Sequence, residues 1–84
     1  MDISDWRNRI DALEDMLILL LNKRASYAVE IGKIKKEQKM PVLDPSREQI
    51  ILDRVASKTE GPLSPEALRR IFKTIIEETR KIEE

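Results

Sequence analysis

Two cationic side chains, Arg24 and Lys35, are spaced so that they could bind one anion together. Lys35 follows Arg24 by three helical turns, so both would project from nearly the same face of a helix, ~16 Å apart along its axis. Ala28 lies between them and is small enough to leave space. The pair therefore predicts a pocket for a small, doubly charged anion. Arg24 also interrupts an apolar run with the three–four spacing of a coiled-coil seam, formed by Ile10, Leu13, Leu17, Leu20, Tyr27, Ile31 and Ile34.

A charged residue within such a seam can also serve the protein itself. A buried guanidinium is costly unless an acid neutralises it, so Arg24 could instead pair with a glutamate of its own chain or of a partner chain. It could also extend into solvent. The anion-binding interpretation depends on Lys35 and Ala28 sharing a face with Arg24.

Polar residues near the C-terminus continue an apolar stripe. Thr79 and Glu83 extend the row of Phe72 and Ile76 at three- and four-residue spacing, which would bring them to the buried side of a helix. The alternative is a solvated helix end. The predicted buried stripe comprises Leu68, Ile71, Phe72, Ile75 and Ile76.

A third polar group, Asp44, Arg47 and Glu48, lies where a helix would begin. Ordinary helix-start chemistry accounts for it, because Asp44 is a good N-cap and Glu48 suits the positive end of the helix dipole. A capping role for Asp44 is compatible with a second role towards a ligand.

Proline and glycine divide the chain into the segments that must position these side chains. Pro41 and Pro45 bracket one break, and Gly61, Pro62 and Pro65 mark the other. The segments show helical periodicity and no strand pattern. We therefore predict an all-α chain with one long helix and two shorter ones. The long helix would run from Ser4 or Asp5 to Glu37, with Ser4 as N-cap. The shorter helices would run from Pro45 to Lys58 with Asp44 as N-cap, and from Pro65 to the C-terminus with Ser64 as N-cap.

The composition narrows the class of protein. The 84 residues, taken as one domain over residues 1–84, include no cysteine or histidine, so oligomerisation is the remaining common source of extra stability. Lys+Arg and Asp+Glu both number 16, a balance that argues against a nucleic-acid or membrane-surface binder. The apolar run at residues 16–21 is too short to cross a bilayer, and the N-terminus shows no signal-peptide pattern. A cytoplasmic protein is expected.

Five stretches, in order and with helices of the right length between them, resemble the all-helical AroQ-class chorismate mutases over essentially the whole chain. They are residues 7–13 (RNRIDAL), 20–24 (LLNKR), 29–35 (VEIGKIK), 41–48 (PVLDPSRE) and 72–79 (FKTIIEET). Thr79 stands where serine is frequent in the family, and Glu83 where glutamine is frequent. The positions that match the family's ligand-binding set are Arg7, Arg24, Lys35, Asp44, Arg47, Glu48, Thr79 and Glu83.

The resemblance implies the rearrangement of chorismate to prephenate, with Lys35, Glu83 and Arg24 in the catalytic roles. This pericyclic step uses no cofactor, metal or nucleophile, in keeping with a chain that has no recognisable activated nucleophile. An ionised Glu83 would repel the ether oxygen as it becomes negative, so Glu83 must be protonated to donate a hydrogen bond to it. The resemblance also implies that Arg24 and a partner chain's Arg7 bind the substrate carboxylates, and that Lys35 donates to the ether oxygen and a carboxylate. Glu48 and the backbone near Asp44 would hold the ring hydroxyl. Thr79 would hydrogen-bond a carboxylate, and Arg47 would support these groups.

Arg7 gives a geometric reason to expect a dimer. Arg7 and Lys35 would be ~42 Å apart on one helix, whereas a small ligand is roughly 10 Å across. If Arg7 binds the same ligand as Lys35, it comes from a second, antiparallel chain. The family resemblance implies the same arrangement, an intertwined antiparallel helical homodimer.

Two other functions fit parts of the pattern. An isochorismate pyruvate-lyase of the same fold would bind a similar dianion. A non-catalytic helical dimer, or a weakly active regulatory module of a fused shikimate-pathway enzyme, would also need the long apolar seam. A DNA-binding three-helix module fits poorly, because the net charge is zero and the first helix is too long.

Overall fold

The computed structural model describes residues 1–84 as three α-helices without strands, which confirms the predicted fold class. Helix α1 spans Ile3–Glu37, α2 spans Pro45–Lys58 and α3 spans Pro65–Glu83. None of the three helices combines the length and the hydrophobicity that a membrane-spanning helix requires.

The start of α1 differs from the prediction. Asp2, not Ser4, is the N-cap: its side chain accepts a hydrogen bond from the Asp5 N–H, and the Asp5 carboxylate accepts one from the Asp2 N–H, each at 3.0 Å. The reciprocal pair satisfies two backbone donors, whereas a cap at Ser4 would satisfy fewer. Ser4 therefore lies inside the first turn.

The starts of α2 and α3 follow the prediction. Asp44 Oδ1 accepts from the Arg47 N–H at 3.1 Å, and Ser64 Oγ accepts from the Ala67 N–H at 3.1 Å. Each cap is followed by a proline at the first helical position, where a missing N–H costs nothing. Local sequence thus determines where both short helices begin.

Helix α3 lies between the other two helices. It packs against both α2 and α1, whereas α1 and α2 do not pack directly against each other. The small core consists of Ile51 and Val55 from α2 and Ile76 from α3, with Leu52, Leu68 and Phe72 packed around it. Ile71, which we predicted to be buried with this stripe, is instead 45% exposed. Because α3 separates α1 from α2, a gap remains between those two helices.

No other part of the chain covers the N-terminal half of α1. Every residue from 1 to 20 is exposed, and the apolar members of the predicted seam are each at least half exposed. The radius of gyration is 15.8 Å, against about 12 Å for a compact chain of this length. A long row of exposed apolar side chains on one helix is typical of an association interface.

Candidate active site

A cavity of about 210 Å³ fills the gap between α1 and α2, with α3 on its third side. Apolar residues including Tyr27, Ala28, Ile31, Ile51 and Ile76 form part of its wall. The structure brings seven of the eight predicted ligand-binding residues to this cavity, namely Arg24, Lys35, Asp44, Arg47, Glu48, Thr79 and Glu83. Arg7, the eighth, lies on the exposed half of α1 and does not line it.

Arg24 enters the cavity as a cation without an acidic partner. It is half-buried and forms no ion pair within the chain, so pairing with a glutamate of its own chain does not account for it. Burial lowers the pKa of Arg24 from its ordinary value, and the charges of Arg47 and Arg54 lower it further, while Glu83 opposes them. A guanidinium nevertheless stays protonated in proteins, so the positive charge is retained for a ligand.

Thr79 orients Arg24. Arg24 Nη1 donates to Thr79 Oγ1 at 3.1 Å, and the Thr79 hydroxyl donates to the Ile75 carbonyl at 2.6 Å. The single hydroxyl proton of Thr79 is thus directed to the helix backbone. Before Thr79 can donate to a ligand carboxylate, as the family resemblance implies, this proton must rotate away from Ile75.

Lys35 is the second cation of the cavity that has no acidic partner. Its Nζ donates to the Val42 carbonyl at 3.0 Å and forms no ion pair, which leaves two of its three N–H groups for a ligand. The turn that brings Val42 there is closed by a hydrogen bond from the Met40 N–H to the Lys35 carbonyl at 2.8 Å, with Lys39 in the left-handed conformation at φ 56°. Lys35 is therefore held at both its backbone and its side chain.

Asp44 caps α2 and remains ionised at the rim of the cavity. The Arg47 N–H and the Ser46 hydroxyl both donate to Asp44 Oδ1, and these bonds, with the nearby charge of Lys35, lower the pKa of Asp44. The predicted capping role of Asp44 is confirmed.

Sequence reasoning missed Arg80. This residue lines the cavity, and its Nη1 donates to Glu48 Oε2 at 2.7 Å. In sequence, Arg80 is a basic residue in the last turn of a helix, where interaction with the helix dipole is a sufficient reason for it. Nothing local to the sequence indicates a partner 32 residues away, because that contact depends on the packing of α2 against α3.

Gly32 allows Glu83 to reach the cavity. Gly32 is buried, and a Cβ atom placed on it would lie 2.9 Å from the backbone oxygen of Glu83 and 3.2 Å from its Cα. Such a distance to backbone is shorter than van der Waals contact. The absent side chain of Gly32 therefore sets how closely the end of α3 approaches α1.

The cavity is positively charged although the chain is neutral. Four cations, Arg24, Lys35, Arg47 and Arg80, line it with three carboxylates, Asp44, Glu48 and Glu83. Positive charge is thus in excess, by one with all three carboxylates ionised, before any other chain contributes. Clustered charge of one sign attracts the opposite sign, so the cavity favours an anion.

A second depression, of about 610 Å³, lies where α2 ends and α3 begins. It is larger but more open, and it carries Arg54 and Lys58 beside Pro62, Leu68 and Phe72. None of the predicted ligand-binding residues line it. The residues that line the cavity between α1 and α2, and not its volume, therefore identify it as the candidate active site.

These features define an all-helical protein with a cationic pocket for a small anion. Residues 6–84 match the family of type II chorismate mutases, and the chain therefore belongs to this family.

Similar proteins agree with this assignment. The chain is 30% identical to chorismate mutase (form II) from Thermus thermophilus, with a TM-score of 0.94 over 96% of this chain and 92% of that one. It is 34% identical to Helicobacter pylori chorismate mutase in complex with prephenate, with a TM-score of 0.88 over 96% and 88% of the two chains. It is 35% identical to the bifunctional chorismate mutase/prephenate dehydratase of Neisseria gonorrhoeae over 92% of this chain. The chain spans about one fifth of the length of such bifunctional relatives.

Gly32→Ala tests whether the close approach of α3 positions Glu83. We expect at least about tenfold weaker binding of a small dicarboxylate anion in the cationic cavity, because displacing a contact group by about 1 Å is costly. Binding is measured by titration calorimetry, and folding by circular dichroism. Alanine favours a helix over glycine by about 1 kcal/mol, so loss of α1 is not expected. Ser26→Ala, at an exposed position of α1, is the matched control; equal affinities for the two variants would contradict this role of Gly32.

Proposed function

We propose that this chain is a chorismate mutase, which converts chorismate to prephenate in the biosynthesis of phenylalanine and tyrosine. The observation that carries the proposal is the pair Arg24 and Lys35, two cations without acidic partners that line one cavity. Chorismate carries two carboxylates, an ether oxygen and a ring hydroxyl, and the cavity offers a group for each. Membership of the chorismate mutase family supports the same reaction.

The chemistry requires restraint and electrostatic stabilisation of the substrate. In the rearrangement a C–O bond breaks and a C–C bond forms in one step, without a covalent intermediate. The protein must hold the substrate in its compact diaxial conformer and stabilise the negative charge that develops on the ether oxygen. Apolar walls from Ala28, Ile51 and Ile76 suit the ring, since they exclude water from the reacting atoms.

The cations of the cavity bind different groups of the substrate. Arg24, oriented by Thr79, binds one carboxylate through its remaining N–H groups, because the planar guanidinium matches a carboxylate in two-point geometry. Lys35 donates its two free N–H groups to the ether oxygen and a carboxylate. Glu48, with the backbone near Asp44, accepts from the ring hydroxyl, and Arg47 adds positive charge at the edge.

The working unit in this proposal is an intertwined antiparallel homodimer. The exposed seam of α1 supplies the apolar surface, and Arg7 lies within the half of α1 that nothing in its own chain covers. The cavity of one chain holds four cations and, with Glu83 protonated, two carboxylates. Arg7 of the second chain would add a cation for the second substrate carboxylate and close the open side.

The extent and location of the catalytic unit stay predictions. Residues 1–84 are expected to form a single catalytic domain located in the cytoplasm, either alone or as part of a fusion like those of the bifunctional relatives. The isochorismate pyruvate-lyase reaction is the competing activity, since it uses a similar dianion.

Separate incubations with chorismate and isochorismate test the reaction. We expect chorismate to be consumed and prephenate to form, followed by the loss of chorismate absorbance and by chromatography of the product. Arg24→Ala should lower kcat/KM by at least about a hundredfold, because one substrate carboxylate loses its partner. Release of pyruvate from isochorismate with no prephenate from chorismate would identify the lyase instead.

Mixing two inactive variants tests whether a site is shared between chains. After subunit exchange, an equal mixture of Arg7→Ala and Arg24→Ala should recover about one quarter of wild-type activity, because about half of the dimers are mixed and each has one intact site. A mixture of Arg24→Ala and Lys35→Ala is the matched control, since each site of its mixed dimers keeps one defect. No recovery in the first mixture, with exchange verified by mass spectrometry, would contradict a shared site.

The pH profile tests the role of Glu83. If Glu83 donates to the ether oxygen it must be protonated, so kcat/KM should fall as the pH rises. Glu83→Gln keeps a donor at every pH and should flatten the profile. Glu84→Gln, at the exposed end of the chain, is the control. A profile that Glu83→Gln leaves unchanged would remove Glu83 from contact with the ether oxygen.

A further inference from the structure

The Arg80–Glu48 ion pair differs from the other ion pairs of the chain. Its N···O distance is 2.7 Å, and its side chains are 29% and 27% exposed. In the other three pairs every side chain is at least 45% exposed, and two of those pairs join residues three apart on one helix. Exposed pairs contribute little, whereas a partly buried, short pair restrains both partners. This pair joins the start of α2 to the end of α3 at the wall of the cavity.

Only one oxygen of Glu48 is used by the pair. Arg80 Nη1 donates to Oε2, whereas Oε1 accepts no hydrogen bond within the chain. A carboxylate held through one oxygen keeps the other as an acceptor in a defined direction. A ligand hydroxyl is a suitable donor to Oε1, because it needs an acceptor and brings no charge of its own.

Arg80 also determines the charge that a dianion meets. Without it, the cavity would keep three cations, Arg24, Lys35 and Arg47, and Glu48 would lose the cation with which it forms an ion pair. The charge of Glu48 would then stand unpaired beside an anionic substrate and repel it. Arg80 thus allows an ionised acceptor to exist within an anion-binding site.

We propose that Arg80 is a positioning residue that sets the preference of this site for a substrate with a ring hydroxyl, acting through Glu48. The proposal rests on the proposed function, because it assigns the hydroxyl of chorismate to Glu48 Oε1. Arg80 itself does not contact the substrate in this scheme. Its effect should therefore depend on whether the substrate has a free hydroxyl and on whether residue 48 is charged.

The experiment compares chorismate with chorismate whose ring hydroxyl is methylated. We expect the wild-type protein to prefer chorismate in kcat/KM, because the methyl ether has no proton to donate to Glu48. Arg80→Ala should lower kcat/KM for chorismate by about tenfold and should lower it less for the methyl ether, so the preference shrinks. Arg80→Lys, which keeps the charge, should recover part of the preference.

A second arm removes the charge of Glu48. In the Arg80→Ala background, Glu48→Gln should raise kcat/KM for chorismate, whereas Glu48→Gln alone should lower it in the wild-type background. Such a reversal is expected only when the two residues act as a unit. Lys81→Ala is the matched control, because it removes an exposed ion pair with Glu78 from the same helix turn. Lys81→Ala should leave kcat/KM unchanged for both substrates.

The outcomes separate the two proposals. If the wild-type protein turns over chorismate and Arg80→Ala slows both substrates equally, Arg80 only supports the fold and the positioning proposal is wrong. If the wild-type protein does not turn over chorismate, the proposed function fails and this inference fails with it. Should Arg80→Ala lose its helical circular dichroism signal, Arg80→Gln, which retains part of the aliphatic stem and an N–H donor without the charge, provides the same comparison.

Discussion

The structure depends on keeping two cations without acids in a half-buried cavity. Arg24 and Lys35 are each held by a single neutral acceptor, the Thr79 hydroxyl and the Val42 carbonyl, and neither forms an ion pair. A neutral acceptor fixes a cation without cancelling its charge, whereas a carboxylate would do both. The site therefore retains a positive field for an anionic ligand, and the desolvation of Arg24 is tolerated in order to keep it.

The cavity exists because α3 separates the two helices that carry most of the polar groups. Had α1 packed directly on α2, apolar contact would have filled the space that Ala28 and Ile51 now line. At one end of the cavity, Gly32 has no side chain and allows the backbone of Glu83 to come close to α1. Small residues at two successive helical turns thus have different effects: Ala28 leaves space for a ligand, and Gly32 allows a neighbouring helix to approach.

Folding and function are linked through the incomplete core. Six of the 84 residues are buried, and the first 20 are all exposed, so one chain alone buries little apolar surface. The same exposed half of α1 carries Arg7, the one predicted ligand-binding residue that lies outside the cavity. In the dimer that we propose, a single packing event would both cover the seam and complete the charge of the site. In that dimer, association would supply both apolar burial and a cation that one chain lacks.

The sequence by itself determined the features that depend on neighbouring residues. Asp44–Pro45 and Ser64–Pro65 set the starts of α2 and α3, because a cap and a proline act within one turn. The spacing of Arg24 and Lys35 placed both on one helix face, helical periodicity placed Thr79 and Glu83 on the buried side of another helix, and the family resemblance assigned these two residues to the ligand. Only the tertiary structure decided which partners these groups have. The Arg80–Glu48 pair, the contact of Gly32 with Glu83 and the exposure of Ile71 depend on how helices pack, and packing brings together residues that no local pattern relates.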